Sequence, residues 1–495
     1  MLAWTVYSSF IGMVILMLLH PANQRAARMI ALLTAVAGFV IAAAGFAQHE
    51  ATSGIVTIAK FSWVKSLGID YHLAADGISV TLVLLTGIAA VVGILFSWNI
   101  EHRVNQFFAF YLALIGGVYG VFLSFDLFLL FVFYELAIIP KYFIIAIWGS
   151  TNKEYGAMKL ALYSFIGSAM VLIGLVAAYV VAGAGTTNLL VLATYPFPES
   201  FQYWAFPLVF IGFAILAGLW PFHTWAPTGH VAAPTAASML LAGVVMKLGA
   251  YGALRVAMTL FPLGLKAWQS ELGLLAVIGI LYGAMVALVQ KDFKFVIGYS
   301  SVSHMGFVLL GLLTLNEIGL SGAVLQMFSH GIIASLLFAV VGRMVYDRTH
   351  TRELGVLQGM DLTRAIPFAS VTFVIGSMAS MGLPGFSGFV AELQVLIGAW
   401  HAFPGFALLA GLGIVIGVAY TLRALQQSFF SETERTTAGK QAHPLEPISI
   451  PERIGGTVLI ASTLIVGLCP RLLLDLIVPS FRSPLFEALR RGGGF

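Results

Sequence analysis

Long apolar segments dominate this sequence, and their lengths constrain the fold more than any other feature. Fourteen runs are long enough for a helix to cross a bilayer, which takes about 20 residues. Their approximate limits are 3 to 19, 29 to 47, 78 to 98, 107 to 125, 127 to 148, 157 to 182, 204 to 222, 232 to 257, 271 to 290, 295 to 313, 319 to 342, 367 to 400 (broken), 404 to 424 and 455 to 478. Lipid offers no hydrogen bonds to the backbone, so these runs should form helices. We expect an all-α polytopic membrane protein with about 14 transmembrane helices.

Composition excludes several classes of protein. Hydrophobic residues make up 60% of the 495 residues and charged residues only 9%, which excludes a soluble globular protein. The first run lacks the basic flank and small-residue cleavage site of a signal peptide, and we expect a retained helix. The single cysteine, Cys469, excludes internal disulfides and iron–sulfur ligation. Without a nucleotide-binding loop or a Cys/His group at metal spacing, NADH, flavin or metal chemistry would have to lie on other chains.

The distribution of Lys and Arg predicts the topology. Alternating the runs across a membrane puts fifteen cations on the side of the first loop: Arg25, Arg28, Arg103, Lys153, Lys159, Lys291, Lys294, Arg343, Arg348, Arg352, Arg364, Arg423, Arg435, Lys440 and Arg453. Eight fall on the other side: Lys60, Lys65, Arg255, Lys266, Arg471, Arg482, Arg490 and Arg491. By the positive-inside rule the first side is cytoplasmic and both termini face outward. The two remaining cations, Lys141 and Lys247, lie within helices.

Proline interrupts two of the predicted helices and suggests an internal repeat. Pro221 follows Gly218-Leu219-Trp220 in helix 7, and Pro384 follows Gly382-Leu383 in helix 12. An offset of five helices reverses orientation, so helices 4–8 and 9–13 would form two inverted repeats. The predicted divisions are 1–106 with helices 1–3, 107–257 and 271–430 with the repeats, and 431–495 with a cytoplasmic loop and helix 14. The polar linkers 48–77 and 431–452 do not resemble domains, and the second is typical of a mobile loop.

Three ionisable residues lie deep within predicted helices: Glu135 in helix 5, Lys247 in helix 8 and Glu392 in helix 12. A charge at that depth costs several kcal/mol unless it is paired or hydrated. Structural salt bridges, or snorkelling of Lys247, would account for each residue singly. Three together favour a proton relay, in which Glu135 is the natural partner of Lys247 if helices 5 and 8 or their waters connect. Prolines 221, 227 and 234 near Lys247 should free carbonyls that line protein or a wet cavity.

Histidines extend this pattern. His304 and His330 lie inside helices 10 and 11, and His223 and His230 flank the break in helix 7. Because imidazole passes protons near neutral pH, a chain of groups from Lys247 to Glu392 is favoured over four packing histidines. Lys294 is a further channel-lining candidate in a short cytoplasmic turn.

Four motifs resemble one known family. At PFHTWAPTGHVAAPT, AGVVMKLGAYGALR, QKDFKFVIGYSSVSHMGFV and LPGFSGFVAEL, the sequence is similar to the antiporter-like subunits of respiratory complex I, within them to the M type (chain 4). The resemblance covers nearly all of the chain from DYHLAADGISV onward. It implies fourteen helices, two inverted five-helix repeats and breaks in helices 7 and 12. The M type has a glutamate at the position of Glu392, whereas the related types usually carry a lysine there.

The resemblance also implies roles and partners. Glu135 would be the helix 5 acid, Lys247 the helix 8 lysine and Glu392 the exit group. The chain would lie in a bacterial inner membrane between L-type and N-type subunits. NADH, FMN, iron–sulfur clusters and quinone would be bound by partner subunits, and this chain would carry no cofactor or metal. It would translocate protons as one subunit of an NADH:quinone oxidoreductase.

Two departures from the family pattern matter. The chain reads APTGH where relatives usually have LPDAH, and Leu216 occupies the position of the helix 7 lysine. Lys141, six residues after Glu135 and next to Pro140, is our candidate for the missing amine. Two alternative functions stay open: a subunit of a multisubunit cation/proton antiporter or membrane-bound hydrogenase, and a structural membrane subunit that does not conduct, which Leu216 favours.

Overall fold

The computed structural model describes residues 1–50, 54–430 and 445–493. Its main helices are α1 (Ala3–Leu18), α2 (Gln24–Gln48), α3 (Gly77–Leu95), α4 (Val104–Leu123), α5 (Leu127–Trp148), α6 (Lys153–Ala182), α7 (Glu199–Ala232, interrupted), α8 (Thr235–Met258), α9 (Pro262–Val289), α10 (Phe293–Leu313), α11 (Glu317–Thr349), α12 (Pro367–Ser380 and Ser387–Ala402), α13 (Pro404–Phe429), α14 (Ile450–Leu468), α15 (Arg471–Ser480) and α16 (Glu487–Gly493). Short helical turns lie at Leu189–Leu192, Leu354–Leu357 and Leu362–Ala365.

The predicted helical membrane bundle is confirmed. Twelve helices of the described residues are long and apolar enough to cross a membrane by length and composition. Helix α1, with 16 residues, and the two halves of α12 account for the other two predicted runs. The predicted loop 431–452 lies outside the described residues as far as residue 444. After it, Ser449 and Glu452 form a capping box that starts α14.

A short β-hairpin accompanies the helices of this all-α fold. Strands β1 (Val56–Val64) and β2 (Ile69–Ala75) pair antiparallel within the linker that the sequence analysis left without structure. Gly68 turns the chain at a φ of 63°, where a side chain would be strained. The hairpin joins the bundle through Phe125, whose N–H donates to the His72 carbonyl at 2.9 Å. We call this end of the bundle the hairpin end, and the end with the turns 96–103, 149–152 and 290–292 the loop end.

Polar caps fix where several helices begin. Asp76 accepts a hydrogen bond from the Ser79 N–H at 2.9 Å before α3. Asp126 and Asp292 cap α5 and α10 in the same way. A carboxylate at a helix N-terminus satisfies free N–H groups and opposes the helix dipole. Each of these helices therefore starts at a defined depth in the bundle.

The interruption of α7 differs from the predicted one. The helix stops at Ala217, turns through Gly218 at a φ of 88° and Pro221, and resumes from Trp225 to Ala232. The predicted end at residue 222 was therefore wrong, because the second piece continues the same crossing. Pro227 lies in the first turn of that piece, where proline breaks no hydrogen bond. Pro234 belongs to the turn between α7 and α8.

The interruption of α12 was predicted correctly. Its first half ends at Ser380 and its second begins at Ser387. Gly382 and Gly385 take positive φ angles of 68° and 98° on either side of Pro384.

Candidate functional site

Four side chains form a row through the middle of the bundle, three of them buried and His304 with 12% of its side chain exposed. Lys247 Nζ lies 2.7 Å from Nδ1 of His330, and the rings of His330 and His304 have centroids 5.4 Å apart. Nδ1 of His304 lies 3.0 Å from Oε1 of Glu392. We call Lys247, His330, His304 and Glu392 the central row. The structure thus brings together the four residues from helices 8, 10, 11 and 12 that the sequence pattern singled out.

The backbone of α8 explains the position of Lys247. Wide π-helical turns at Leu241–Val245 and Ala253–Met258 flank its own turn, and turns of this kind are frequent at functional sites. The Lys247 amine donates to the Ala242 carbonyl as well as contacting His330. An ammonium only donates, so Nδ1 of a neutral His330 accepts and the ring proton lies on Nε2. Nε2 has no hydrogen-bond partner among the described residues.

Glu392 ends the row with defined partners. Its Oε1 accepts from Gln326 Nε2 at 3.2 Å in addition to its contact with His304. A Cβ at Gly382 would lie only 2.9 Å from Oε2. The interruption of α12 therefore places bare backbone against this carboxylate, in the same turn that contains Pro384.

Lys294 is buried toward the loop end and is not a solvated turn residue. Its amine donates to the Ala233 carbonyl at 2.9 Å and lies 3.4 Å from Ser238 Oγ. The Ser238 hydroxyl in turn donates to the His230 carbonyl at 2.7 Å. The carbonyls freed beside Pro234 are thus satisfied by polar side chains, as expected for a helix end inside a membrane.

A cavity reaches Lys294 from the loop end. It measures about 200 Å³, and its lining includes Asn99, Ser150, Thr235 and Asp347 as well as Lys294. This volume and polarity suit several water molecules. The cavity supplies a polar approach to the buried amine.

The two histidines of α7 have different surroundings. His230 is fully buried between Trp225 and Phe338, with ring centroids 6.2 and 5.2 Å away. His223 in the interruption packs against Tyr282, at 5.1 Å between centroids. Both nitrogens of each ring lack a hydrogen-bond partner in the described part of the chain. Buried imidazoles without partners are unusual, and both sites suit water.

Glu135 and Lys141 form a separate cluster between α5 and α6. Lys141 is buried, and its amine donates to Ser164 Oγ at 3.2 Å. The Glu135 carboxylate interacts with Ser168 and with the charge on Lys141. Ser164 and Ser168 are four residues apart and share one face of α6. They therefore lie between the acid and the amine.

Glu135 is not the partner of Lys247. Among the described residues Lys247 forms no ion pair with it, and its contacts are with His330 and the Ala242 carbonyl. The expected pairing was wrong because α8 presents Lys247 toward α11. Leu216 is buried where α7 packs closely on Gly249 of α8.

No group of three or more His, Cys, Asp or Glu side chains in the described ranges could hold a metal ion. The residues of the central row instead offer an amine, two imidazoles and a carboxylate at hydrogen-bonding or near-contact distances. Groups of this kind transfer protons.

Comparison with known proteins identifies a family for this chain. The family model for the transmembrane part of NADH:quinone oxidoreductases and Mrp antiporters matches residues 124–417. The chain belongs to this family. It is 37% identical over 476 residues to NADH-quinone oxidoreductase subunit M of Rhodobacter capsulatus, covering 93% of this chain and 90% of that protein. It is 38% identical to NAD(P)H-quinone oxidoreductase chain 4 1 of Synechococcus sp. (strain JA-2-3B'a(2-13)), covering 75% and 71%.

Solved structures place this family member's fold in the same group. A chain of respiratory complex I from Thermus thermophilus with bound NADH aligns over 100% of both chains, with a TM-score of 0.89 and 28% identity. A chain of the Mrp complex from Dietzia sp. DQ12-45-1b aligns over 100% of this chain and 99% of its own, with a TM-score of 0.84. Its identity is 20%, so that the second likeness concerns the fold alone.

A buried ion pair lies at the hairpin end of this family member, where the sequence pattern predicted none. Arg255 was assigned to the outer surface, but its side chain and that of Asp76 are fully buried. The two guanidinium nitrogens Nη1 and Nη2 each lie 2.7 Å from one Asp76 oxygen. Arg255 Nε also donates to Tyr251 at 3.2 Å. Two features of the sequence could have indicated this pair. Asp76 directly precedes the apolar helix α3, and Arg255 still lies inside the apolar helix α8.

A second buried ion-pair network lies at the loop end, where the sequence analysis placed Arg343 and Arg348 among the surface cations. Arg343 and Arg348 contact opposite oxygens of Glu452, at 2.5 and 2.7 Å. The Glu452 side chain is 1% exposed. The network ties the wide final turns of α11 to the start of α14.

Proposed function

We propose that this chain is a proton-translocating, antiporter-like membrane subunit of respiratory complex I, and that protons cross it through the central row. The single observation that carries the proposal is the row itself, in which an amine, two imidazoles and a carboxylate lie in sequence inside the bundle. The names of the relatives support the assignment to complex I. Electron transfer from NADH to quinone then occurs on other subunits, which hold the redox cofactors.

The transfer begins at the loop end. A proton from the cavity reaches Lys294 and passes along the polar groups near Ser238 and His230 to Lys247. Lys247 then gives a proton to Nδ1 of His330, the atom that it contacts.

The second part of the path runs from His330 to Glu392. Nε2 of His330 releases its proton toward His304, and the 5.4 Å between the ring centroids leaves the transfer to direct approach or one water. His304 delivers a proton to Glu392 through their 3.0 Å contact. From Glu392 the proton leaves toward the hairpin end, where α12 finishes at Ala402.

In this proposal Glu135 is the acid and Lys141 is the amine of the first repeat, residues 107–257. Lys141 substitutes for the lysine that Leu216 replaces, and Ser164 and Ser168 carry the proton between it and Glu135. The buried amine and its 3.2 Å contact with Ser164 support this role. His223, with no partner for either nitrogen among the described residues, is a further water-linked group near the interruption of α7.

The membrane arrangement follows the sequence analysis. The loop end faces the cytoplasm of a bacterial cell, both termini lie on the outer side, and L-type and N-type subunits flank the chain. Residues 107–257 and 271–430 form two inverted repeats, each with one interrupted helix. The matching glycine-proline turns of α7 and α12 support this division.

The decisive experiment measures protons moved per NADH oxidised in membrane vesicles. Lys247→Ala and Glu392→Gln should abolish the part of pumping that depends on this subunit, while the complex still assembles. Lys266→Ala changes an exposed lysine at the hairpin end and should leave the ratio unchanged. Normal ratios in both row variants would mean that the chain is a spacer that does not conduct. Copurification with antiporter subunits alone, without a quinone reductase, would favour the antiporter alternative.

A further inference from the structure

A small cavity lined by hydroxyl groups lies beside the central row. It is formed by α10, α11, α12 and α13 and has a volume of about 10 Å³, which is close to what one water molecule requires. Five residues of its lining carry hydroxyls: Ser300, Ser377, Ser380, Tyr420 and Thr421. None of them belongs to the proposed path. We call this space the hydroxyl cavity.

The hydroxyls of the cavity have unused hydrogen-bonding capacity. Ser377 is fully buried, and its Oγ has no partner among the described residues. Ser300 donates to its own helix, to the Ile297 carbonyl at 2.9 Å, and its side chain also interacts with the Tyr420 hydroxyl. A buried hydroxyl without a partner costs about 1–3 kcal/mol. One water in contact with two or three of these hydroxyls would remove that cost.

The cavity reaches the row through Ser380. Its Oγ lies 3.3 Å from Nε2 of His304, while Nδ1 of the same ring contacts Glu392. A serine hydroxyl donates to a neutral imidazole nitrogen and accepts from a protonated one. Ser380 can therefore hydrogen-bond to His304 in both charge states of the imidazole. When Ser380 accepts from His304, the hydrogen of the Ser380 hydroxyl needs a second acceptor.

We propose that the hydroxyl cavity is a water-binding site, and that its water and Ser380 form a side branch of the row that holds His304 in its protonated state. When His304 receives a proton, its Nε2–H donates to Ser380, whose hydroxyl turns to donate to the water. The water in turn donates to Ser377. The proposal rests on the proposed function of the row and adds Ser380 and Ser377 as positioning residues.

Aromatic rings lie on the loop-end side of the hydroxyl cavity. The rings of Phe293 and Phe373 lie 4.9 Å apart at the loop-end side of the cavity, and Phe373 also stacks on Phe429 at 5.4 Å. These rings separate the hydroxyls from the loop end. The other titratable groups around His304 and Glu392 are His330 on α11 and Tyr420 on α13.

The first test is a high-resolution cryo-electron microscopy map of the complete complex. We expect a water peak within hydrogen-bonding distance of Ser377 and Ser380. Ser377→Val should remove the peak, because its methyl groups fill the space. A map that shows waters around Lys247 and His330 but none in the cavity would overturn the proposal, whatever the pumping data show.

The second test compares pumping in matched variants. Ser380→Ala should lower the pumping rate about tenfold, the effect of losing one hydrogen bond to a charged group. Ser380→Thr keeps the hydroxyl and should restore most of the rate. Ser321→Ala removes a buried hydroxyl of α11 that has no partner in the part of the chain that the structure describes and does not line the cavity, and it should pump normally.

The outcomes separate this proposal from the proposed function. Normal pumping by Ser380→Ala and Ser377→Val, with Glu392→Gln inactive, would refute the side branch and leave the row intact. Equal losses in Ser380→Ala and Ser380→Thr would show a packing effect and also refute it. Normal pumping by Glu392→Gln would refute the row itself, while the water peak would still report on the site.

Discussion

Arg255 and Asp76 are joined by two hydrogen bonds of 2.7 Å, although both side chains are fully buried. The pair links the hairpin-end part of α8 to the first residue before α3. The guanidinium also lies over the rings of Phe125 and Phe486, with its carbon 5.0 and 5.6 Å from their centroids. This pair therefore fastens several separate parts of the bundle together.

Removing one partner of this pair should destabilise the subunit. Asp76→Ala leaves a buried guanidinium without its counter-charge, and we expect a loss of about 3–5 kcal/mol. The measurement is the thermal stability of the complex and the amount of subunit that it retains on a native gel. The double variant Asp76→Ala with Arg255→Met should recover part of the loss, since no charge is then buried alone.

The solvent-accessible pair Lys60 and Asp70, whose side chains are 48% and 22% exposed, is the control, with nitrogen and oxygen 3.7 Å apart. Lys60→Ala should cost about 0–1 kcal/mol. Equal losses in Lys60→Ala and Asp76→Ala would contradict a special role for the buried pair.

Gly382 should be intolerant of a side chain. Its φ of 68° strains any other residue, and a Cβ would lie 2.9 Å from Glu392 Oε2. We expect Gly382→Ala to displace the carboxylate from His304 and to reduce the ratio of protons pumped to NADH oxidised. Gly411→Ala, at a helical glycine of α13 with open space around it, is the control. A normal ratio in Gly382→Ala would mean that Glu392 tolerates displacement.

Lys141 should be needed for pumping. Lys141→Met removes the amine that contacts Ser164, and pumping should stop if this amine replaces the one absent at Leu216. Adding Leu216→Lys to Lys141→Met should restore part of the activity, because it returns a lysine to α7. Lys141→Met with normal pumping would show that the first half works without this amine.

The hairpin should open more easily in acid. Burial lowers the pKa of His72 below its ordinary value, and the nearby Lys60 lowers it further. Folded His72 is therefore neutral, and opening lets it take up a proton. The stabilisation is complete above the ordinary pKa of about 6.5 and declines as the pH falls below it.

Hydrogen exchange of the amides of β1 and β2, corrected for intrinsic rates, measures this effect. Exchange should be faster at pH 5.5 than at pH 7.5, and His72→Gln should abolish the difference. The same pH dependence in His72→Gln would assign it to another group.

The amino-acid sequence determined the framework of this protein. Runs of apolar residues allow only helices in lipid, and so they predicted the fourteen segments. Lys247 and Glu392 were identified because an ionisable side chain inside such a run has a high free-energy cost, which indicates a functional role. Pro384 and its neighbouring glycines marked the interruption of α12 because those residues cannot continue a regular helix.

Tertiary structure decided which of these groups meet. Lys247 contacts His330, which is 83 residues away, and not Glu135, because the direction of a side chain across a bundle depends on how the helices rotate and pack. Arg255 and Asp76 are 179 residues apart, and each alone resembles a residue at a membrane surface. The hairpin escaped prediction because its strands carry mixed polar and apolar residues whose pairing depends on the bundle beneath them. Local pattern fixes the energy of placing a group in the membrane, whereas its partner is set only when distant helices pack together.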